Sequence, residues 1–215
     1  MRCDLKLHCM AAPRYVWRQL NEQQRMELLA WRKSRRHPWH SPPHRPNFGH
    51  LRFVISASCY EHRHYIGRSP QRMDNFAREL VALFTGHCRQ TFAWCVLPNH
   101  YHALVEAPNV KLLLHELGLF HGRTSHAWNG EDNMRGRKAF FRAVERAMRS
   151  ERHYWATLNY VHHNPVRHGY VQRWTDWHWS SATEYLAQMG LDEAKRIWRQ
   201  YPVRDYGKAW DEPTF

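Results

Sequence analysis

Apolar positions recur at two periods along this chain, and each switch between them marks an element. Residues 52–60, rich in β-formers such as Phe53, Val54 and Ile55, read as a first strand. Ser69 followed by Pro70 supplies a helix cap and a favoured first helical residue. Met73, Phe76, Ala77, Leu80, Leu83 and Phe84 then fall at offsets 0, 3, 4, 7, 10 and 11, one face of a helix that Gly86 ends. After that the period returns to two. Residues 91–97 predict a second strand, Pro98 and Asn99 a turn, and residues 100–106 a third strand, which makes a hairpin.

Residues 110–120 predict a helix turning Leu112, Leu113, Leu114 and Leu117 towards the sheet, and residues 122–138, polar and broken by glycine, a cationic surface loop. Residues 139–149 fit either period, with Phe140 and Phe141 favouring a strand. Ser150 caps a helix over residues 151–163 that carries Tyr154, Leu158 and Val161 on a buried stripe. His153, Thr157, Tyr160 and Asn164 form the neighbouring polar stripe, and Pro165 is expected to end the helix at Asn164. Beyond lie an aromatic cluster of Trp174, Trp177 and Trp179, a capping box of Ser181 and Glu184, and an amphipathic segment at residues 191–199. Upstream, residues 15–33 set Trp17, Leu20, Leu28 and Trp31 near helical spacing. Residues 34–50 hold too much proline for regular structure, and form an extended basic linker that either follows a phosphate backbone or is a plain tether. Three regions result: a helix with a basic Pro/His-rich extension at 1–50, a compact α+β domain at 51–180 and a helical tail at 181–215.

Charge narrows the function. The 215 residues carry 32 Lys and Arg against 19 Asp and Glu, a formal net charge of +13, and this points to a polyanionic partner. Eleven tryptophans and ten tyrosines among those cations suit stacking on bases, the composition of a single-strand binder. A membrane-surface protein would show a strongly amphipathic basic helix near one end, and only a moderate one is present. No apolar run reaches membrane-span length, and the start lacks a signal-peptide core, so the expected location is the cytoplasm. Cys3, Cys9, Cys59, Cys88 and Cys95 are odd in number with no Cys-x-x-Cys pair, and are read as free thiols.

The chemistry concentrates at residues 94–106. Alternation puts His100 and His102 on one face of their strand and Tyr101, Ala103 and Val105 on the other, so two imidazoles can share one ion. Two polar residues at a strand start is the competing account until a third ligand appears. Eighteen histidines make chance pairs common, and His62 with His64, lacking apolar alternation beyond it, reads as an exposed strand end or loop.

Leu-Pro-Asn-His-Tyr-His-Ala-Leu-Val, residues 97–105, resembles the Met-Pro-Asn-His-hydrophobic-His-Leu-Leu-Val signature of the HUH single-tyrosine transposases. Tyr160-Val-His-His-Asn164-Pro-Val-Arg resembles the Tyr-Ile-His-x-Asn-Pro-Val-Arg signature of their REP-associated branch. The resemblance covers residues 51–179. Leu97 departs from the usual Met, Tyr101 and Ala103 stand where larger aliphatics are common, and the 122–138 segment is long; these leave the DNA recognised undefined.

The resemblance implies a ferredoxin-like antiparallel sheet with helices on one face, the histidines on the open face and a tyrosine helix laid against it. It implies that residues 51–180 are a transposase-like catalytic domain, that His100, His102 and Asn164 hold a divalent cation, and that Tyr160 is the nucleophile. A mixed nitrogen and oxygen set is compatible with Mn²⁺ as the tighter binder and Mg²⁺ as the cellular ion, acting as a Lewis acid on a DNA phosphate. The Tyr160 phenol would attack phosphorus to leave a 5′-phosphotyrosine and a free 3′-hydroxyl, and a second 3′-hydroxyl would resolve the link. The implied partner is single-stranded or hairpin DNA, bound by a monomer or homodimer in the cytoplasm at the nucleoid.

Arg35, Arg36, Arg135, Arg137, Lys138 and Arg142 are candidate phosphate contacts, and Trp39 or Trp128 candidate base-stacking residues, each set against an ordinary surface role. Tyr160 packed at a helix edge is the structural alternative for the nucleophile. Two other functions stay open: a domesticated repeat-DNA-binding protein that no longer moves DNA, and a metal-dependent phosphohydrolase, for which Glu106 is the one carboxylate on that strand face.

Overall fold

The computed structural model describes residues 21–24, 26, 27, 30 and 51–207. Within the helix expected over residues 15–33, residues 22–24, 26, 27 and 30 are helical; Trp17, Leu20, Leu28, Trp31, Arg35, Arg36 and Trp39 lie outside the described residues. Residues 51–207 fall within one compact unit, Asn47–Glu212.

Four strands, β1 (Arg52–Ser58), β2 (Gln90–Leu97), β3 (His100–Glu106) and β4 (Val144–Ala147), form an antiparallel sheet in the order β2-β3-β1-β4. With α1 (Pro70–His87) between β1 and β2, and α2 (Val110–Glu131) between β3 and β4, this is the ferredoxin-like plan. Alternation divides the sheet residues between two layers. Tyr101 faces α1 and α2, with its ring 5.9 Å from Phe76 and its hydroxyl 3.1 Å from His121 Nε2. His100 and His102 face the other way, towards α3 (Glu151–Arg167). Covered on both sides, β3 is buried from His100 to Val105, the pattern of a central strand.

The helix starts follow their caps. Ser69 Oγ accepts from Arg72 N at 3.1 Å at the head of α1, and Ser150 Oγ from His153 N at 3.1 Å at the head of α3. Met73, Phe76, Ala77, Leu80 and Phe84 are buried as the spacing requires, while Leu83 is half-buried.

Elsewhere the chain departs from its sequence reading. The loop expected over residues 122–138 is helical as far as Glu131, because the apolar face runs on through Phe120, His121 and Trp128, all buried. Gly122 and Gly130 inside that helix cost about 1 kcal/mol each relative to alanine, which the packing offsets. Of the four leucines set towards the sheet, Leu113 and Leu117 are buried and Leu112 is exposed. The strand after it is confined to Val144–Ala147, with Phe140 bridging Cys59 alone. Pro165 does not end α3, which continues to Arg167. A proline this late removes one backbone donor, and the last turn is held by His168 N to Asn164 O at 3.1 Å and Tyr170 N to Pro165 O at 2.9 Å.

Ser181 does not close a capping box. No side chain caps α4 (Ala182–Met189), because the Ser181 hydroxyl lies against β2 and α3, accepting from Trp94 N at 2.9 Å and lying 2.9 Å from His162 Nε2. Ser180 bridges Cys95, so residues 180 onward, with α4 and α5 (Leu191–Gln200), pack on the same unit as the sheet. His62 is buried rather than exposed, in a 3₁₀ turn at Tyr60–His62. Cys59, Cys88 and Cys95 are free thiols, and burial pushes Cys59 up to about 12 and Cys88 to about 11.

Candidate active site

The site is assembled across β1, β3 and α3. Antiparallel register sets His100 beside Ser58, and His102 beside Ser56, on one sheet face. Over that face α3 lays Tyr160 and Asn164, one turn apart. Asn164 Oδ1 is 3.1 Å from His100 Nε2, and the Tyr160 hydroxyl is 3.2 Å from His102 Nε2. The two imidazole centroids are 5.1 Å apart. All four candidate site residues therefore converge, and all come from one chain. Each is at most 2 % exposed. The stripe read as polar is buried as deeply as the apolar one, because α3 is clamped between the sheet and the segment at residues 203–207.

Further side chains fix these four. Asn99 Nδ2 donates to His62 O at 3.1 Å, which turns Asn99 Oδ1 to His100 Nδ1 at 2.7 Å. An amide oxygen only accepts, so His100 Nδ1 carries the proton and, in the neutral ring, Nε2 keeps its lone pair. That lone pair faces the Asn164 carbonyl oxygen, while Asn164 Nδ2 is buried with no hydrogen-bond partner. His102 Nδ1 is 2.6 Å from Ser56 Oγ. The His168 ring meets His100 edge-on at 5.0 Å.

Above Tyr160 lie Tyr206, edge-on at 5.5 Å, and Gly207, where a Cβ would fall 2.3 Å from Tyr160 Cε2. A closed set of hydrogen bonds holds Tyr206 there. Arg149 N donates to His153 Nδ1 at 3.3 Å, leaving Nε2–H of the neutral ring to donate to the Tyr206 oxygen at 3.0 Å. Thr157 gives its hydroxyl proton to His153 O at 2.7 Å and lies 2.6 Å from the Tyr206 hydroxyl, which donates to it. Burial, with Arg146 and Arg149 nearby, lowers His153 and keeps it neutral. The Tyr160 side chain is thus buried, 1 % exposed, with Tyr206 and Gly207 packed against its ring.

Ser56, His168, Tyr206 and Gly207 carried no signal in the sequence; Asn99 was read only as a turn residue. Ser56 is identified by register alone, and the rest by packing.

The outlying candidates divide. Arg137 turns inward, donating to Asp132 Oδ2 at 2.7 Å and Asn129 Oδ1 at 2.9 Å, with its guanidinium 4.3 Å over Tyr65. Trp128 is buried beneath Arg72 rather than open to a base. Arg135 is exposed and donates to His126 O at 3.1 Å. Lys138 and Arg142 are exposed. Tyr154 is half-buried, and burial pushes its phenol up to about 12. Glu106 pairs with Arg52 at 3.3 Å at the far end of β3, four residues or about 13 Å from His102. No group of three His, Cys, Asp or Glu gathers among the described residues, so the donor set here is two imidazoles and an amide.

An antiparallel ferredoxin-like sheet with a paired-histidine face covered by a tyrosine helix defines the fold class. No protein-family model matches the chain, and no curated protein does. Among solved structures it is similar to a REP-associated tyrosine transposase bound to a REP hairpin, at a TM-score of 0.54 and 17 % identity, over 69 % of this chain and 87 % of that one. The two share a fold. No helix among the described residues is long and apolar enough to cross a membrane.

Proposed function

We propose that this chain is a transposase-like enzyme that cleaves and rejoins single-stranded or hairpin DNA through Tyr160. The observation that carries this is the convergence of Tyr160 and Asn164 of α3 on His102 and His100 of β3, at 3.2 and 3.1 Å. The fold shared with a transposase that binds a DNA hairpin, and the charge of +13, support DNA as the partner.

His100, His102 and Asn164 would hold a divalent cation. The donor chemistry fits: with Nδ1 of His100 protonated towards Asn99, a lone pair and a carbonyl oxygen face each other at 3.1 Å, an arrangement that a cation between them relieves. Such an ion, Mg²⁺ or Mn²⁺, would supply Lewis-acid polarisation of a phosphate. Asn99 sets the tautomer of His100, and Ser56 holds the orientation of the His102 ring. α3 fixes the phenol beside the histidine face, which saves the entropy of bringing nucleophile and phosphate together.

The Tyr160 oxygen forms a bond to phosphorus, the bond to the 3′-oxygen breaks, and the phenol proton is lost as the leaving strand gains one. The products are a 5′-phosphotyrosine and a 3′-hydroxyl. Because the phosphodiester energy is retained, a second 3′-hydroxyl reverses the step on a new strand without nucleotide hydrolysis. All four groups sit in one chain, so a monomer would suffice. With DNA as the substrate, the proposed location is the cytoplasm, at the nucleoid.

The test is incubation of the full chain with hairpin oligonucleotides bearing single-stranded flanks, with Mn²⁺ or Mg²⁺. An SDS-resistant protein-DNA adduct in wild type that disappears in Tyr160→Phe supports the reading. Free 5′-phosphate products without adduct mark a phosphohydrolase instead, and binding without any cleavage marks a DNA-binding protein only.

A further inference from the structure

The histidine face does not end at His100. Cys59 and Phe140 form an antiparallel bridge, with Tyr60 N donating to Ala139 O at 2.8 Å and Phe141 N to Ser58 O at 2.9 Å. This sets Ser58 opposite Phe141 on one side and opposite His100 on the other. His100, Ser58 and Phe141 therefore make one row across the sheet, with Phe141 two strand spacings, about 10 Å, from His100. Tyr60, two residues beyond Ser58, projects from the same face. The rings of Tyr60 and Phe141 meet at 4.9 Å with planes tilted by 42°. Over both lies the exposed ammonium of Lys138, 4.8 Å from one centroid and 5.2 Å from the other. α3 packs over β2 and β3, and both rings stay half-buried. Exposed Arg63 and Arg142 flank them in sequence.

The platform is tied to the site. Glu61 and His62, directly after Tyr60, have φ of 56° and 50°, left-handed backbone that is uncommon outside glycine. The amide holding His62 O is that of Asn99, the same amide that orients His100. One side chain, Asn99, thus touches both the turn that follows Tyr60 and the His100 ring.

We infer that Tyr60 and Phe141, with Lys138, form a stacking subsite for one unpaired base of the strand whose phosphate lies at Tyr160. An aromatic pair beside an exposed cation suits a nucleotide: the rings would take the face of the base, and the ammonium would turn from the rings to the adjoining phosphate. The row geometry sets the subsite close enough for a base near that phosphate, and on the same side of the sheet. This rests on DNA being the substrate. It adds which residues hold the strand in register.

The test reads binding without cleavage. Hairpin oligonucleotides with single-stranded flanks, each abasic at one flank position, are titrated by fluorescence anisotropy in EDTA with the full chain and with Tyr60→Leu, Phe141→Leu and Lys138→Gln. One abasic position should weaken wild type roughly ten-fold and leave Tyr60→Leu or Phe141→Leu, already weakened, with no further loss. Lys138→Gln, an exposed change that spares folding, should weaken every oligonucleotide while keeping sensitivity at that position. Equal sensitivity of wild type and both aromatic variants at all positions overturns the subsite, as does failure of wild type to bind any flanked oligonucleotide. The adduct assay separates the two readings: base coupling without adduct leaves the subsite standing and removes strand transfer, and adduct without coupling does the reverse.

Discussion

Asn99 Oδ1 accepts the Nδ1 proton of His100 at 2.7 Å, so a turn residue fixes the tautomer of a candidate metal ligand. Asn99→Ala removes the acceptor of the buried His100 N–H and the donor to the His62 carbonyl, a cost of about 1–3 kcal/mol for each lost bond. Adduct formation and Mn²⁺ affinity, read by calorimetry, should fall about 10- to 100-fold. Asn99→Asp keeps an acceptor for His100 but sets a carboxylate oxygen in place of the donor to His62 O, and should retain more of both than Asn99→Ala. Equal loss in the two variants would refute an orienting role.

Ser56 Oγ lies 2.6 Å from His102 Nδ1 and holds the orientation of that ring. Ser56→Ala should reduce adduct formation by about ten-fold with a folding midpoint close to wild type, since a small side chain replaces a small one. An unchanged rate would show that His102 is held by packing alone.

Asp132 gathers Arg72, Arg137 and Arg68 at 2.8, 2.7 and 3.2 Å, with its own side chain 2 % exposed. Chemical denaturation of Asp132→Ala should show a loss of about 3 kcal/mol, because the inward-turned Arg137 loses its counter-charge while Arg72 keeps only Glu131, at 2.6 Å. Arg137→Ala should cost stability as well, and its effect on DNA binding should vanish once compared at equal folded fraction.

The hairpin, α1 and the start of α3 were legible because each is announced by local chemistry: alternation, a serine cap, a proline or asparagine turn. The far half of α2 was not. Its buried face uses His121 and Asn129, polar residues whose burial depends on partners distant in sequence, the Tyr101 hydroxyl at 3.1 Å and the Arg137 carbonyl at 2.6 Å. Pro165 misled for the converse reason, since a local rule yields when the following turn finds other hydrogen bonds. His100, His102, Tyr160 and Asn164 could be singled out by motif, but Ser56, Tyr206 and Gly207 reach them through register and chain return, which no local pattern encodes.

Burial holds His121 down to about 4 and His162 to about 3, against an ordinary value of 6.5. Both stay neutral in the fold while the unfolded chain takes up protons below about pH 6.5, so the unfolded state binds more protons there. Stability is full above that pH and falls as the pH drops towards 4, by at most about 1.4 kcal/mol per pH unit for each ring. Hydrogen bonding from Arg72 keeps the Asp132 carboxyl near 2, below its ordinary 3.8, and adds a further loss in the same direction below pH 3.8. The thermal midpoint should decline from pH 7 to pH 4, less steeply in His121→Gln. A flat profile over that range would rule out neutral burial.

Gly207 carries φ of 75°, and a Cβ there would lie 2.3 Å from the Tyr160 ring. Gly207→Ala meets two obstacles at once: left-handed backbone, about 1–2 kcal/mol for a residue with a Cβ, and overlap with a ring that the sheet prevents from retreating. The segment must lift, and Tyr160, 1 % exposed in the wild type, becomes accessible. Nitration by tetranitromethane, followed by peptide mass spectrometry, should be slow at Tyr160 in wild type and several-fold faster in Gly207→Ala, with Tyr101 as an internal control buried on the other sheet face. Tyr206→Phe, which removes the hydroxyl shared by Thr157 and His153 but keeps the ring over Tyr160, should give a smaller increase. Equal nitration of Tyr160 in all three proteins would mean that residues 203–207 do not cover it in solution.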